Sequence, residues 1–332
     1  VEQEYNRRQQ YESPFRAILT GVSDLFRKPA DLLLLKESDR LDGKNVLITG
    51  SSSGLGLATA VELAARGARV IMAVRSGIPA RGELVKKRSG SGQVEMVHVD
   101  LSEPGSIERL AGEVASRFGP LDILICNAAV VTQHSRQTRE GLDEMFMVNY
   151  MAKFLLIKRL IEVNGFNLSG PALPRIIIVN SESHRNPEQI EWESFGTYIP
   201  YGIKQSVSMY GYYKLLLLTM ANELSRKLNP EGQVQFMVSA LCPGPVNSNI
   251  AREAPALFQP LLKLVFRIFF RSPEKACRPV VYLATSPETE GRIMDYMFLM
   301  QPKSMDPKAT DPENGKRLWE LTEKLASTLK SA

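Results

Sequence analysis

The stretch that most constrains this chain is Asn45-Val-Leu-Ile-Thr49-Gly50-Ser-Ser52-Ser53-Gly54-Leu55-Gly56, continuing into Leu-Ala-Thr-Ala. A short apolar run meets three glycines and then takes up a helical Ala/Leu pattern. That order predicts strand, tight turn, helix. Such a turn lets the backbone approach a pyrophosphate closely. The free N–H groups and the positive dipole end of the helix then face the phosphate charge. The spacing is Gly50-x-x-x-Gly54-x-Gly56 rather than G-x-G-x-x-G. A plain strand-to-helix turn is the alternative, and the rest of the chain has to decide between them.

Further strands are expected over 67–76, 93–101, 121–129, 175–181 and 233–241, with helices to about Arg66 and over 106–118, 139–163 and 208–227. The run from Leu121 is almost continuously apolar, as a parallel strand buried on both faces should be. Strands alternating with helices at this spacing predict an α/β fold. It is a doubly wound parallel sheet, the Rossmann fold, in three αβα layers. One domain is expected over 43–305, with a helical lid at 249–272. An extension, 1–42, precedes it and a helical tail, 306–332, follows.

In such a sheet ligands sit at the carboxyl ends of the strands. Asp100 ends the third predicted strand, Asn127 the fourth and Ser181 the fifth; Pro243 and Gly244 follow the sixth. The second ends in Arg75, with no acid to take an adenosine 2′-OH. A basic residue there accepts a 2′-phosphate, so NADP(H) is favoured over NAD(H). Tyr210 and Lys214 are four apart on a predicted helix and share one face. A phenol has a pKa of about 10 and is a poor base at neutral pH. A fixed ammonium beside it, together with a positively charged nicotinamide, is expected to lower that value. Tyr210 could then exchange a proton with an alcohol or carbonyl while Ser181 holds the same oxygen, and a nicotinamide would move the hydride. Tyr-x-x-x-Lys also occurs by chance; the glycine turn and Ser181 give it weight.

These residues resemble the short-chain dehydrogenase/reductase superfamily, from about Gly43 to Asp295. The family's Thr-Gly-x-x-x-Gly-x-Gly turn stands as Thr49 to Gly56. Its adenine-contacting Asp is matched by Asp100, next to Leu101. Its Asn-Asn-Ala-Gly strand end reads Cys126-Asn127-Ala128-Ala129, a departure at two positions, where Ala129 adds a methyl on the cofactor's path. The resemblance implies a structural and proton-relay role for Asn149, and catalytic roles for Ser181, Tyr210 and Lys214; Ser183 is a second candidate for the serine. The Pro-Gly-x-Val-x-Thr loop reads Pro243-Gly244-Pro245-Val246-Asn247-Ser248. The implied cofactor contacts include Ser52, Ser53, Leu55 and Val246. Within the superfamily, the chain is most similar to the branch of retinol dehydrogenases and light-dependent protochlorophyllide oxidoreductases. Met72-Ala73-Val74-Arg75 and the 318–325 helical pattern carry that likeness. Pro245 stands where the pigment reductases have Cys.

Charge is mild, +5 from 41 basic and 36 acidic residues, and does not point to nucleic acid. Three cysteines and three histidines without clustered spacing predict a reducing, cytoplasmic setting and no metal. Residues 255–271 put Lys263, Arg267 and Arg271 on one stripe of an otherwise apolar helical pattern. This fits a helix lying at a membrane surface, or a lid packed on the core or on a second copy of the chain. The segments 15–26 and 32–35 could join the same surface. Both readings imply a hydrophobic alcohol, aldehyde or ketone of retinoid, steroid or lipid character. The alternatives are a double-bond reductase acting on a large cyclic substrate, and a non-catalytic NADP(H)-sensing protein. The resemblance implies that homo-oligomers would pair through the helices carrying Asn149 and Tyr210.

Overall fold

The computed structural model describes residues 35–244 and 271–329. Eight strands form one sheet: β1 Asn45–Thr49, β2 Arg69–Val74, β3 Val94–His98, β4 Ile123–Cys126, β5 Arg175–Val179, β6 Met237–Cys242, β7 Asp295–Phe298 and β8 Gln301–Pro302. Their spatial order is β3-β2-β1-β4-β5-β6-β7-β8. All neighbours pair parallel except β8, which runs antiparallel to β7. The winding reverses between β1 and β4, which opens a crevice beyond their carboxyl ends.

Alternation along the strands explains the layers. Leu47, Ile71, Leu124, Ile176 and Ile178 face one side and join a core with helices α3 (Pro104–Phe118), α4 (Ala152–Glu162) and α5 (Ile203–Leu228). Val46, Ile48, Val70, Met72, Ile123 and Ile125 face the other, against α1 (Gly54–Ala65) and α6 (Arg278–Thr285). The doubly wound Rossmann fold expected from the sequence is the fold observed. α2 (Ala80–Ser89) covers β2 and β3, and α7 (Pro312–Thr328) sends Leu318 fully into the core beside α5.

Three details differ from the sequence expectation. The helix expected from 139 starts later, at Glu144, because Gly141 turns at φ +83° and Asp143 caps the following N–H of Phe146 at 2.9 Å. Its next turn, Met147–Met151, is π-helical before α4 begins. The sheet also gains β7 and β8. β7 has only four residues, bracketed by Met294 and Leu299 at positive φ, too short to give a period. The segments 15–26, 32–34 and 245–270, with Val246 among them, lie outside the described residues. Among the described residues no helix is long and apolar enough to cross a membrane.

The far edge of the sheet is pinned by one buried cation. Arg175, at the start of β5, donates to the carbonyls of Leu283 and Ser286, to Thr289 Oγ1 and to Glu290. Arg175→Met would leave these acceptors unmet. It should cost about 3 kcal/mol in the urea midpoint; a loss below about 0.5 kcal/mol would show that α6 is held by other contacts.

Candidate active site

The glycine turn is built by close approach. Gly50 sits at φ +69°, and a Cβ there would meet Ala128 at 2.8 Å; a Cβ on Gly56 would meet the Gly50 carbonyl at 2.5 Å. Neither position has room for a side chain. The buried Thr49 hydroxyl accepts the N–H groups of Asn127 and Ala128 at 3.1 and 3.2 Å. The Asn127 carboxamide donates back to the carbonyls of Thr49 and Gly50. The β4 end is thereby locked to the β1 turn. Ser53 starts α1 without capping its N–H groups by side chain, and no acid stands in the first turn. Those donors face a cleft of about 660 Å³. An uncapped helix start in a glycine cradle fits the pyrophosphate of a dinucleotide.

Gly50, Ser52, Ser53, Gly54, Leu55 and Gly56 line this cleft. Arg75, Asp100, Leu101, Asn127, Ala128, Ala129, Ser181, Tyr210, Lys214, Pro243 and Gly244 join them. Ala129 keeps a negative φ, so its departure from glycine carries no backbone strain. Arg75 is 61% exposed and its guanidinium stands 3.8 Å from Asp100. Asp100 is itself held by the Ser102 N–H and hydroxyl. Arg81 lines the same end of the cleft, six residues past Arg75. Sequence reasoning missed it because α2 is a polar helix whose buried residues are only Gly82 and Val85.

Tyr210 is partly buried and opens onto the cleft beside Ser181, with which its side chain interacts. Ser181 Oγ also accepts the Ser183 hydroxyl at 2.9 Å. Ser183 does not line the cleft and acts behind Ser181. Lys214 is 1% exposed. Its Nζ donates to the Val179 carbonyl at 2.9 Å and lies 5.6 Å from the centre of the Tyr210 ring. The Lys214 ammonium by itself does not bring the Tyr210 pKa down. Burial pushes the phenol well up, and burial pushes Lys214 down to about 8. Desolvation of each charged form outweighs their attraction. At neutral pH the tyrosine therefore keeps its proton.

Asn149 is fully buried in the π turn and does not line the cleft. Its carboxamide pairs with both the N–H and the carbonyl of Val130, at 2.9 and 2.8 Å. It thus positions the cleft wall, which is the structural part of the role that the resemblance implies for it.

The comparisons with known proteins agree with this geometry. A family model described as short chain dehydrogenase matches residues 44–191. Retinol dehydrogenase 14 of Homo sapiens is 32% identical over 87% of this chain and 88% of its own length. Dehydrogenase/reductase SDR family member 13 of Bos taurus is 32% identical over 86% and 74%. The chain belongs to the short-chain dehydrogenase/reductase family. A solved structure of an uncharacterised protein from Mycobacterium paratuberculosis superposes with a TM-score of 0.65 at 26% identity, covering 87% of this chain and 95% of that one. A short-chain dehydrogenase/reductase is an oxidoreductase that uses a nicotinamide cofactor, and the cradle and cleft described above have the form to hold one.

One glycine that the motif reading passed over matters here. A Cβ on Gly211 would meet the Ser183 carbonyl at 2.7 Å, a main-chain atom that cannot swing aside. Gly211 lets α5 press against the turn that carries Ser181, and so brings Tyr210 to Ser181. Gly→Ala inside a helix normally stabilises by about 1 kcal/mol. Gly211→Ala should instead lower the melting temperature and cut activity about tenfold or more, by separating the two hydroxyls. A variant both more stable and fully active would contradict this packing.

Proposed function

We propose that this chain is an NADP(H)-dependent oxidoreductase that interconverts a hydrophobic alcohol and its aldehyde or ketone, with Tyr210 as general acid and base. The observation that carries the reading is convergence. The Tyr210 hydroxyl, Ser181 and Lys214 stand in the same cleft as the glycine turn. When bound, the nicotinamide supplies or accepts the hydride, and in its oxidised form adds a positive charge that favours the Tyr210 phenolate.

The chain's own groups do the rest. Tyr210 keeps its proton in the buried site and is ready to give it to a carbonyl oxygen. Ser181 can donate to the same oxygen and so holds it near the phenol. Lys214 holds a proton one helical turn behind Tyr210. Arg75 and Arg81 can take a 2′-phosphate, and no acid at the end of β2 opposes it. Val130, Val131, Val148 and Val179 make much of the wall apolar. The relatives named retinol dehydrogenases support a hydrophobic alcohol as substrate. The basic residues Lys263 and Arg267 of an otherwise apolar segment support peripheral contact with an anionic membrane from the cytoplasmic side, or pairing of two copies, although Arg271 stands in a β-bridge rather than on a helix.

Tyr210→Phe should lower kcat by at least about 100-fold while NADPH affinity stays within about twofold. Retained turnover with intact cofactor binding would remove Tyr210 from the mechanism. Arg75→Ala should weaken NADPH about tenfold or more and leave NADH nearly unchanged. Equal losses for both cofactors would assign Arg75 to the fold.

A further inference from the structure

Ser183 has no part in the mechanism above, yet it bears on the one hydroxyl that the mechanism needs beside Tyr210. It stands in the short 3₁₀ turn Glu182–Arg185 that follows β5, with Ser181 as the cap residue. Ser181 Oγ accepts the Ser183 N–H at 3.3 Å and the Ser183 hydroxyl at 2.9 Å. The N–H bond alone completes the cap. The hydroxyl brings a second donor to the same oxygen, which the turn does not need.

A serine hydroxyl has two lone pairs and one hydrogen. Both lone pairs of Ser181 are engaged by Ser183, a residue that lies outside the cleft wall. What Ser181 has left for the cleft is its hydrogen. Ser183 is itself held from three sides. Its neighbour Glu182 accepts the Tyr296 hydroxyl of β7 and the Lys303 ammonium, both at 2.6 Å, and the Arg185 guanidinium at 3.1 Å. Its other neighbour, His184, is fully buried. The Asp306 N–H donates to His184 Nε2 at 3.3 Å, so the ring hydrogen is on Nδ1, which donates to the Ser181 carbonyl at 2.8 Å. From the third side, α5 presses onto the Ser183 carbonyl at Gly211. The main chain of Ser183 is thereby fixed, and with it the side from which its hydroxyl meets Ser181.

We propose that Ser183 is a positioning residue: by filling the lone pairs of Ser181 it makes that hydroxyl a donor only, offered to the substrate oxygen in the cleft. This rests on the alcohol/carbonyl reading given above. In the reducing direction the carbonyl oxygen accepts the Ser181 hydrogen bond and takes its proton from Tyr210. In the oxidising direction the alcohol oxygen again accepts from Ser181. The alcohol hydrogen finds no acceptor there, and Tyr210 is left to receive it. No bond to hydrogen breaks at Ser181 or Ser183 in either direction. Ser181 meets the substrate, and Ser183 sets its polarity.

The test has two arms. Neutron diffraction of the deuterium-exchanged, cofactor-free chain should find a deuterium bonded to Ser183 Oγ and aimed at Ser181 Oγ. A deuterium bonded to Ser181 and aimed at Ser183 overturns the proposal. In single turnovers with enzyme in excess, Ser183→Ala should slow carbonyl-dependent NADPH oxidation about fivefold, with NADPH affinity within about twofold. In a Ser181→Ala background the same substitution should change the rate less than about 1.5-fold, because the oxygen that Ser183 directs is gone. No loss in the first background, or an equal loss in both, overturns the positioning role. Should the wild-type chain bind NADPH and reduce no carbonyl, the reaction reading fails, and the neutron arm still decides the direction of the bond.

Discussion

The site depends on how closely β1 and β4 come together just beyond the sheet. Thr49 receives the N–H groups of Asn127 and Ala128, and Asn127 donates back to the turn. These bonds satisfy backbone groups that a strand end would otherwise bury unmet. They also explain why Gly50 and Gly56 have no room for a side chain. Because the sheet order reverses between these two strands, the lock sits at the one place where the crevice opens. The glycine turn and the facing wall of the cleft are thus set by one packing contact.

Burial then decides the protonation of what lines that crevice. Tyr210 is partly buried there, and Lys214 is enclosed with a main-chain carbonyl as its hydrogen-bond partner. Desolvation disfavours each charged form, raising Tyr210 and lowering Lys214. A protonated phenol suits delivery of a proton to a carbonyl. In the opposite direction, a positive charge brought into the cleft would favour the phenolate. The same residues can serve both directions, with the balance set by what occupies the cleft.

Much of this was legible in the sequence. The glycine turn, Asn127, Ser181, Tyr210 and Lys214 could be found because each stands at a fixed offset from a strand end or along a helix. Six strands were readable from apolar runs. What escaped notice depends on contacts between distant segments. Gly211 is explained only by the Ser183 carbonyl opposite it, and Arg81 only by the helix that returns it to the Arg75 end of the cleft. Ser183 reads as a second candidate for the role of Ser181 until its hydroxyl is seen to donate to that residue. How far burial opposes the Lys214 ammonium at Tyr210 was hidden for the same kind of reason. Spacing shows that a lysine is near, and the depth of burial that overrides it is a property of the fold.

The most direct measurement is NADPH consumption by the unmodified chain offered a panel of hydrophobic aldehydes and ketones, with NADH run alongside. Oxidation of NADPH with stoichiometric formation of the alcohol from at least one apolar carbonyl, and much slower use of NADH, is the expected result. A chain that binds NADPH in its cleft yet reduces none of them, across pH 6 to 9, would contradict the role given to Tyr210.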